Sequence, residues 1–324
     1  MHAIQITETG GPDVLSLTEL PDPEPGRGQL LVEIAAAGVN YVDTYHRSGA
    51  YPMPLPLVPG SEGAGTVIAV GPDTSGVEVG DLVAWATSLG SYAEQAVVPA
   101  EQAVPVPQGV DPEIAAGSLL QGMTAHYLTV SVHSVQPGDT VLVHAAAGGM
   151  GQLLTQLATA LGARVIGTVS TDEKERVARD AGAAEVIRYT EIEDVASEVR
   201  RLTGGQGVAA VYDGVGASTF DASLAALRPR GLLALYGAAS GPVPAVDPQR
   251  LNAAGSVFLT RPKLADYVAS YDELTWRAGE VFDAILDGSL RINIGGRYPL
   301  AEARRAHEDL QGRHTTGKLL LLPR

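Results

Sequence analysis

The first third of the chain shows short apolar runs, several of them alternating with polar positions. LLVEIAAAG (30–38), GAGTVIAVG (63–71), DLVAWA (81–86) and SYAEQAVV (91–98) are of this kind. Gly, Pro and Asp punctuate them closely, so residues 1–120 read as β-rich. YPMPLPLVPG (51–60) holds four prolines in ten residues. Such a run cannot be a helix interior or a central strand, and reads as a stiffened loop.

From about residue 123 the pattern changes to alternating strands and helices. TVLVHAA (140–146) is a continuous apolar strand. Met150, Leu153, Leu154, Leu157 and Leu161 then fall at helical spacing, with Gly162 as a stop. ARVIGTV (163–169) is a second strand, followed by a polar helix from Glu173 to Asp180. AEVIRY (184–189) is a third strand and 191–203 another polar helix. VAAVYDG (208–214), RGLLALYG (230–237) and SVFLT (256–260) bring the strands to six. Buried parallel strands joined by helices predict an α/β fold with a doubly wound sheet. The tail holds a helix around 270–287 and a strand, KLLLL (318–322), able to pack back on the first domain. The expected organisation is a first domain over 1–122, a parallel-sheet domain over 123–261 and a return over 262–324. No internal repeat is present, which excludes solenoids and propellers.

Composition narrows the function. Of 324 residues 45% are apolar and 18% charged, enough for a sizeable core. There is no cysteine, hence no disulfide, thiolate nucleophile or Cys-ligated zinc. A net charge of −15 argues against nucleic-acid or anionic-membrane partners. No apolar run is long enough to span a membrane, and the N-terminus lacks a signal-peptide pattern. A cytoplasmic protein is expected.

The turn after the first parallel strand carries the chemistry. Ala146-Ala147-Gly148-Gly149-Met150-Gly151 is an AxGxxG variant of the dinucleotide fingerprint, with the required strand before and helix after. Gly148 lets the backbone approach a pyrophosphate, and Gly151 lets helix and strand pack closely. The helix N-terminus offers free N–H groups to phosphates. A site for NADH usually ends the second strand with an acid that accepts from the ribose 2′-hydroxyl. Here Ser170 and Thr171 stand there, with Lys174 one helical turn on. Hydroxyls and an ammonium suit a 2′-phosphate, so NADPH is the expected cofactor. Asp172 is close by, and its expected role is to N-cap the next helix. Lys174 could otherwise be an ordinary solvated helix residue, although only three of the 22 basic residues are lysine.

Gly138-Asp139-xx-Leu142-xxx-Ala146-Ala147-Gly148-Gly149-x-Gly151-xxxx-Gln156 resembles the signature of the quinone oxidoreductase (ζ-crystallin) family of medium-chain dehydrogenases/reductases. Thr159 departs from that signature, which has a basic residue or Ser there. AAGVNYVDTYHRSGAYP (36–52), PGSEGAGTVIAVG (59–71), VYDGVG (211–216), LTRP (259–262) and TGKLLL (316–321) resemble further segments of bacterial members. The resemblance implies a GroES-like catalytic domain and a Rossmann cofactor domain. It also implies a homodimer paired through the last Rossmann strand, and hydride transfer from NADPH to a quinone. The zinc alcohol dehydrogenase branch has a ligand Cys where this chain has Asn40 and a ligand His where it has Ser61. No metal site is therefore expected. An acceptor already activated for hydride fits better than an alcohol.

By resemblance, Asn40, Tyr45 and Tyr51 line the nicotinamide and substrate pocket as donors to a developing oxyanion. Asn40 also reads as a turn residue, and Tyr45 and Tyr51 as packing around the proline loop. Asp43 reads as structural rather than as a general acid. The cofactor set implied is Asn40, Thr124, Ala147, Gly148, Gly149, Met150, Gly151, Ser170, Lys174, Tyr189, Val215, Tyr236, Gly237, Phe258, Leu259, Arg261 and Lys318. Arg261 and Lys318 could instead form surface or interface ion pairs. His144, inside a strand, is expected to be a satisfied core histidine. Two other functions fit the sequence. One is NADPH-dependent reduction of activated C=C bonds in enones, 2-alkenals or enoyl thioesters. The other is a non-enzymatic structural or RNA-binding role, which the negative charge disfavours.

Overall fold

The computed structural model describes residues 1–312 and 315–323. It divides into two compact units, Met1–Met123 with Val268–Arg324, and Thr124–Tyr267. The return falls at Val268 rather than at 262, because the turn Leu264–Tyr267 stays with the second unit, where the Tyr267 and Tyr127 rings stack.

The first unit opens with β1 (His2–Gln5), β2 (Ser16–Glu19) and β3 (Gln29–Val39). Helix α1 (Tyr41–Ser48), β4 (Glu62–Val70), β5 (Leu82–Trp85), β6 (Gln95–Pro99) and β7 (Val104–Pro105) follow. The expected strand 91–98 begins only at Gln95, because Ser91 and Tyr92 bond backwards to Gly60 and Pro59. Residues 51–60 form neither helix nor regular strand. Helix α2 (Pro112–Tyr127) runs across the unit boundary.

The second unit contains β8 (Thr140–Val143), α3 (Gly149–Ala160), β9 (Arg164–Val169), α4 (Asp172–Asp180) and β10 (Glu185–Arg188). It continues with α5 (Val195–Leu202), β11 (Val208–Asp213), α6 (Phe220–Ala226), β12 (Leu227–Leu235), α7 (Gln249–Ala253) and β13 (Phe258–Thr260). Helix α5 is shorter than the expected 191–203 because Asp194 caps it, accepting from Ala196 N–H at 2.9 Å. The order β10-β9-β8-β11-β12-β13 is all parallel and doubly wound, with its switch point between β8 and β11. Leu142, Ile166, Val211 and Leu233 build its core.

The chain then adds α8 (Tyr271–Leu286), β14 (Ile294–Pro299), α9 (Ala303–Gly312) and β15 (Lys318–Leu322) to the first unit. The large sheet there runs β14-β15-β3-β4-β5-β7, with β6 also on β3. Leu319 and Leu320 pair antiparallel with Val39 and Gly38. That register brings Lys318 beside Asn40. Glu62 of β4 pairs with Gly38 from the other side.

Leu142 is fully buried on β8 between β9 and β11. Leu142→Ala should destabilise the second unit by about 3 kcal/mol. Equilibrium urea unfolding followed by circular dichroism reads this as a lower midpoint; an unchanged midpoint would contradict the packing described.

Candidate active site

In the first unit Asn40 follows β3 and caps α1. Its backbone N–H donates to Asp43 Oδ2 at 2.8 Å, fixing the start of the helix. Its side chain turns elsewhere. Nδ2 donates to Glu62 Oε2 at 2.8 Å and to the Gly38 carbonyl at 3.3 Å, while Oδ1 accepts from Lys318 Nζ at 2.7 Å. Lys318 Nζ also lies 2.5 Å from Glu62 Oε2, and the other Glu62 oxygen accepts from Leu120 N–H of α2. Glu62 is 0% exposed and Lys318 2%. Gly38 makes room for this pair: a Cβ there would press on Glu62, on the Ala116 carbonyl at 2.7 Å and on Lys318 Cε at 2.9 Å.

A second buried network backs α1. Arg47 can only donate, so its 2.9 Å contact with His307 Nδ1 requires a lone pair on that nitrogen. The imidazole proton is then on Nε2 and points to the Tyr92 oxygen at 3.0 Å. Tyr92 donates in turn to Asp43 Oδ2 at 3.0 Å, and Ser61 to Asp43 Oδ1 at 3.2 Å. Burial pushes Asp43 up to about 6 against the bonds it accepts from Asn40, Tyr92 and Ser61. Burial, helped by the Arg47 charge, holds His307 down to about 3.

Tyr45 and Tyr51 form an aromatic group by the proline-rich loop. Their ring centroids are 5.1 Å apart, and Tyr41 stacks obliquely on Tyr45 at 5.9 Å.

In the second unit β8 leads into a tight turn at Ala145, which takes φ +52°, and Gly148 then caps α3. A Cβ on Gly151 would strike the Ala145 carbonyl and lie 2.6 Å from Ala146 Cα, so only glycine permits this approach of helix to strand. Gly148, Gly149 and Met150 are half-buried, at the end where α3 has unsatisfied N–H groups. The loop is fixed from beneath. Ser223 donates to Asp213 Oδ2 at 2.7 Å, so its oxygen accepts from His144 Nε2 at 2.9 Å. His144 Nδ1 then accepts from Thr168 Oγ1 at 3.1 Å, and that oxygen accepts from Ala145 N–H at 3.3 Å. Burial lowers the His144 pKa, which favours the neutral ring that this chain of bonds needs.

At the neighbouring corner Arg188 pairs in register with Val169, which sets Tyr189 opposite Ser170. Thr171, not Asp172, caps α4: its hydroxyl accepts from Lys174 N–H at 3.3 Å. The extended backbone at Thr171 suits a cap, and Asp172 is already the first helical residue, ion-paired with Arg188. Val215 donates its N–H to Asp213 Oδ1 at 2.8 Å. Tyr236 and Gly237 pack on Gly214 beyond β11 and β12. Phe258 is 61% exposed on edge strand β13, Leu259 is half-buried and Arg261 exposed. Thr124 is buried within α2.

Two family descriptions match this architecture: "Alcohol dehydrogenase GroES-like domain" over 26–108 and "Zinc-binding dehydrogenase" over 149–284. A quinone oxidoreductase of Pseudomonas aeruginosa is 47% identical over 322 residues, spanning 99% of both chains. The chain belongs to the quinone oxidoreductase family. A 2-haloacrylate reductase of a Burkholderia species is 44% identical, over 99% of this chain and 98% of its own. A mycobacterial protein solved in complex with NADPH is 58% identical over 100% of both chains, with a TM-score of 0.97.

Within this quinone oxidoreductase fold most of the expected residues fall into two groups. The loop residues Ala147 to Gly151 and the corner Ser170, Lys174 and Tyr189 lie at the carboxyl edge of the parallel sheet, as do Val215, Tyr236 and Gly237. Asn40 and Lys318 come together in the first unit, but Lys318 is buried with Glu62 rather than on a surface. Asn40 needs a correction: both its amide hydrogens are committed to Glu62 and Gly38, so it orients Lys318 and Glu62 instead of offering a donor to an oxyanion. Glu62 itself escaped the sequence reading. Its signal was a lone carboxylate among small residues in SEGAG. His307 carried no signal at all.

His307 gives a measurable pH signature. Unfolded, it protonates near its ordinary value of 6.5; folded, near 3. Its contribution to stability is complete above 6.5 and is lost as pH falls towards 3. Asp43 acts oppositely: raised from 3.8 to about 6, its contribution is full below 3.8 and lost as pH rises through about 6. His307→Gln should therefore lose less stability than the wild type on acidification from about pH 7 to 5. Thermal unfolding at both pH values checks this, and parallel losses would refute the assignment.

Proposed function

We propose that this protein transfers a hydride from NADPH to a quinone without the help of a metal. The observation that carries the reading is a dinucleotide loop of this geometry in a chain similar to quinone oxidoreductases from end to end. NADPH fits the residues present. Gly148 leaves the N-terminus of α3 open and Gly151 lets that helix approach β8, so that its N–H groups and dipole would receive a pyrophosphate. Ser170, Lys174 and Tyr189 would hold the adenosine end, where the ammonium of Lys174 would supply charge to a 2′-phosphate. Thr124, Val215, Tyr236, Gly237, Phe258, Leu259 and Arg261 complete the cofactor surface.

Bound NADPH supplies the hydride; the chain binds, orients and excludes water. The hydroxyls of Tyr45 and Tyr51 meet the negative charge that develops on the acceptor oxygen. Asn40 and Glu62 fix the position of the Lys318 charge. A zinc ion does not suit this donor set. The chain has no cysteine, and Asn40 and Ser61 are engaged with Lys318, Glu62 and Asp43. Among the described residues no helix is long and apolar enough to cross a membrane. A cytoplasmic homodimer completes the reading, supported by exposed Phe258 on the open edge strand.

A second reading, reduction of activated C=C bonds, is favoured by the full-length similarity to a 2-haloacrylate reductase. NADPH consumption should be followed with 1,4-quinones, 2-alkenals, enoyl thioesters and 2-haloacrylates. Turnover should be highest with a quinone; turnover confined to the alkenes would move the assignment to the second reading. Lys174→Ala should raise KM for NADPH about tenfold relative to KM for NADH. An unchanged ratio would remove Lys174 from the 2′-phosphate site.

A further inference from the structure

The corner that receives the adenosine end is richer in carboxylates than a 2′-phosphate should tolerate. Asp172, Glu173 and Glu175 all lie in the first turn of α4, around Lys174. Asp172 follows closely on β9, where a free carboxylate would accept from a ribose 2′-hydroxyl and repel a phosphate. Its side chain is 71% exposed. Left alone, it would select the cofactor lacking the phosphate.

Asp172 is not left alone. Arg188, the last residue of β10, donates through Nη1 to Asp172 Oδ1. The same guanidinium approaches Glu175 Oε2 through Nε at 3.4 Å and Glu191 Oε2 through Nη2 at 3.0 Å. The parallel register of Arg188 with Val169 fixes its backbone beside the end of β9. One planar cation thus draws together acids from α4 and from the loop after β10, and turns Asp172 towards itself. Ion pairs this exposed contribute little to folding, so stability alone does not account for the arrangement.

We propose that Arg188 is a specificity-determining residue: by binding Asp172 it keeps this carboxylate from the ribose and leaves the corner open to a 2′-phosphate. The inference rests on NADPH being the preferred cofactor. Arg188 acts through Asp172 and is a positioning residue, which gives it a signature distinct from that of Lys174. Removing Arg188 harms NADPH binding only while Asp172 is present.

The test is a double-mutant cycle with Arg188→Ala and Asp172→Asn, measuring kcat and KM for NADPH and for NADH in each protein. Arg188→Ala should lower the NADPH/NADH ratio of kcat/KM about tenfold, through KM rather than kcat. Asp172→Asn in that background should restore the ratio to within about twofold of the wild type. A merely structural role would depress both cofactors equally and leave the ratio intact. A wild type that prefers NADPH, with Arg188→Ala unchanged in ratio, would overturn the proposal and leave the cofactor assignment standing. A double variant as impaired as Arg188→Ala would overturn it too, since Arg188 would then touch the phosphate directly. A wild type without preference for NADPH would overturn the cofactor assignment and the proposal with it.

Discussion

The first unit is organised around a charge pair that has almost no access to water. Lys318 and Glu62 meet at 2.5 Å inside it. Desolvating two ions costs several kcal/mol each, and their attraction offsets this only when every remaining polar atom is satisfied. The neighbourhood supplies such partners. Asn40 bridges the two ions with its amide, and a helical N–H of α2 takes the second glutamate oxygen. The same requirement sets covalent details at a distance. Position 38 has no room for a side chain, and β15 must return to β3 in the one register that puts its lysine beside Asn40. Breaking the pair on one side would leave a buried charge alone, so the arrangement specifies geometry more than it adds stability.

The second unit solves a related problem with neutral groups. The tight loop between β8 and α3 is a poor place for unsatisfied polar atoms underneath. A one-directional series of bonds from Ala145 through Thr168, His144 and Ser223 ends on the Asp213 carboxylate. Each donor has one acceptor, so the tautomer of His144 is fixed and the strand ends of β8, β9 and β11 are held in relation to one another. The histidine is therefore satisfied and also load-sharing. It helps the strained Ala145 keep its positive φ, and with it the approach of α3 that Gly151 permits.

Much of this was legible in the sequence because the signals were local. Periodicity gave all six parallel strands, since a buried strand and an amphipathic helix each show their pattern within ten or so residues. The glycine loop was legible for the same reason. Errors occurred where one residue's neighbour decides: Thr171 rather than Asp172 as cap, Asp194 as the start of α5, Gln95 as the start of β6. The site in the first unit was legible only in part. Asn40 and Lys318 were found by resemblance, yet their relation depends on a contact 278 residues apart in sequence. Glu62, His307 and Arg47 belong to contacts of similar range. No window along the chain can show that a carboxylate in a glycine-rich strand will face a lysine from the far terminus.

The global charge and the local charges then have separate meanings. At −15 the molecule repels an anionic cofactor at long range, but salt screens that field within about 8 Å. Recognition therefore depends on what lies within contact distance of the phosphates. Of the three lysines, Lys318 is committed to Glu62, Lys263 is paired with Asp266, and Lys174 stands in the first turn of α4, beside the end of β9. Backbone N–H groups at a helix N-terminus, such as that of α3, attract an anion without carrying net charge. Such a surface can be acidic throughout and still bind a polyanion, provided that each carboxylate near the site is either distant or held by a cation of its own.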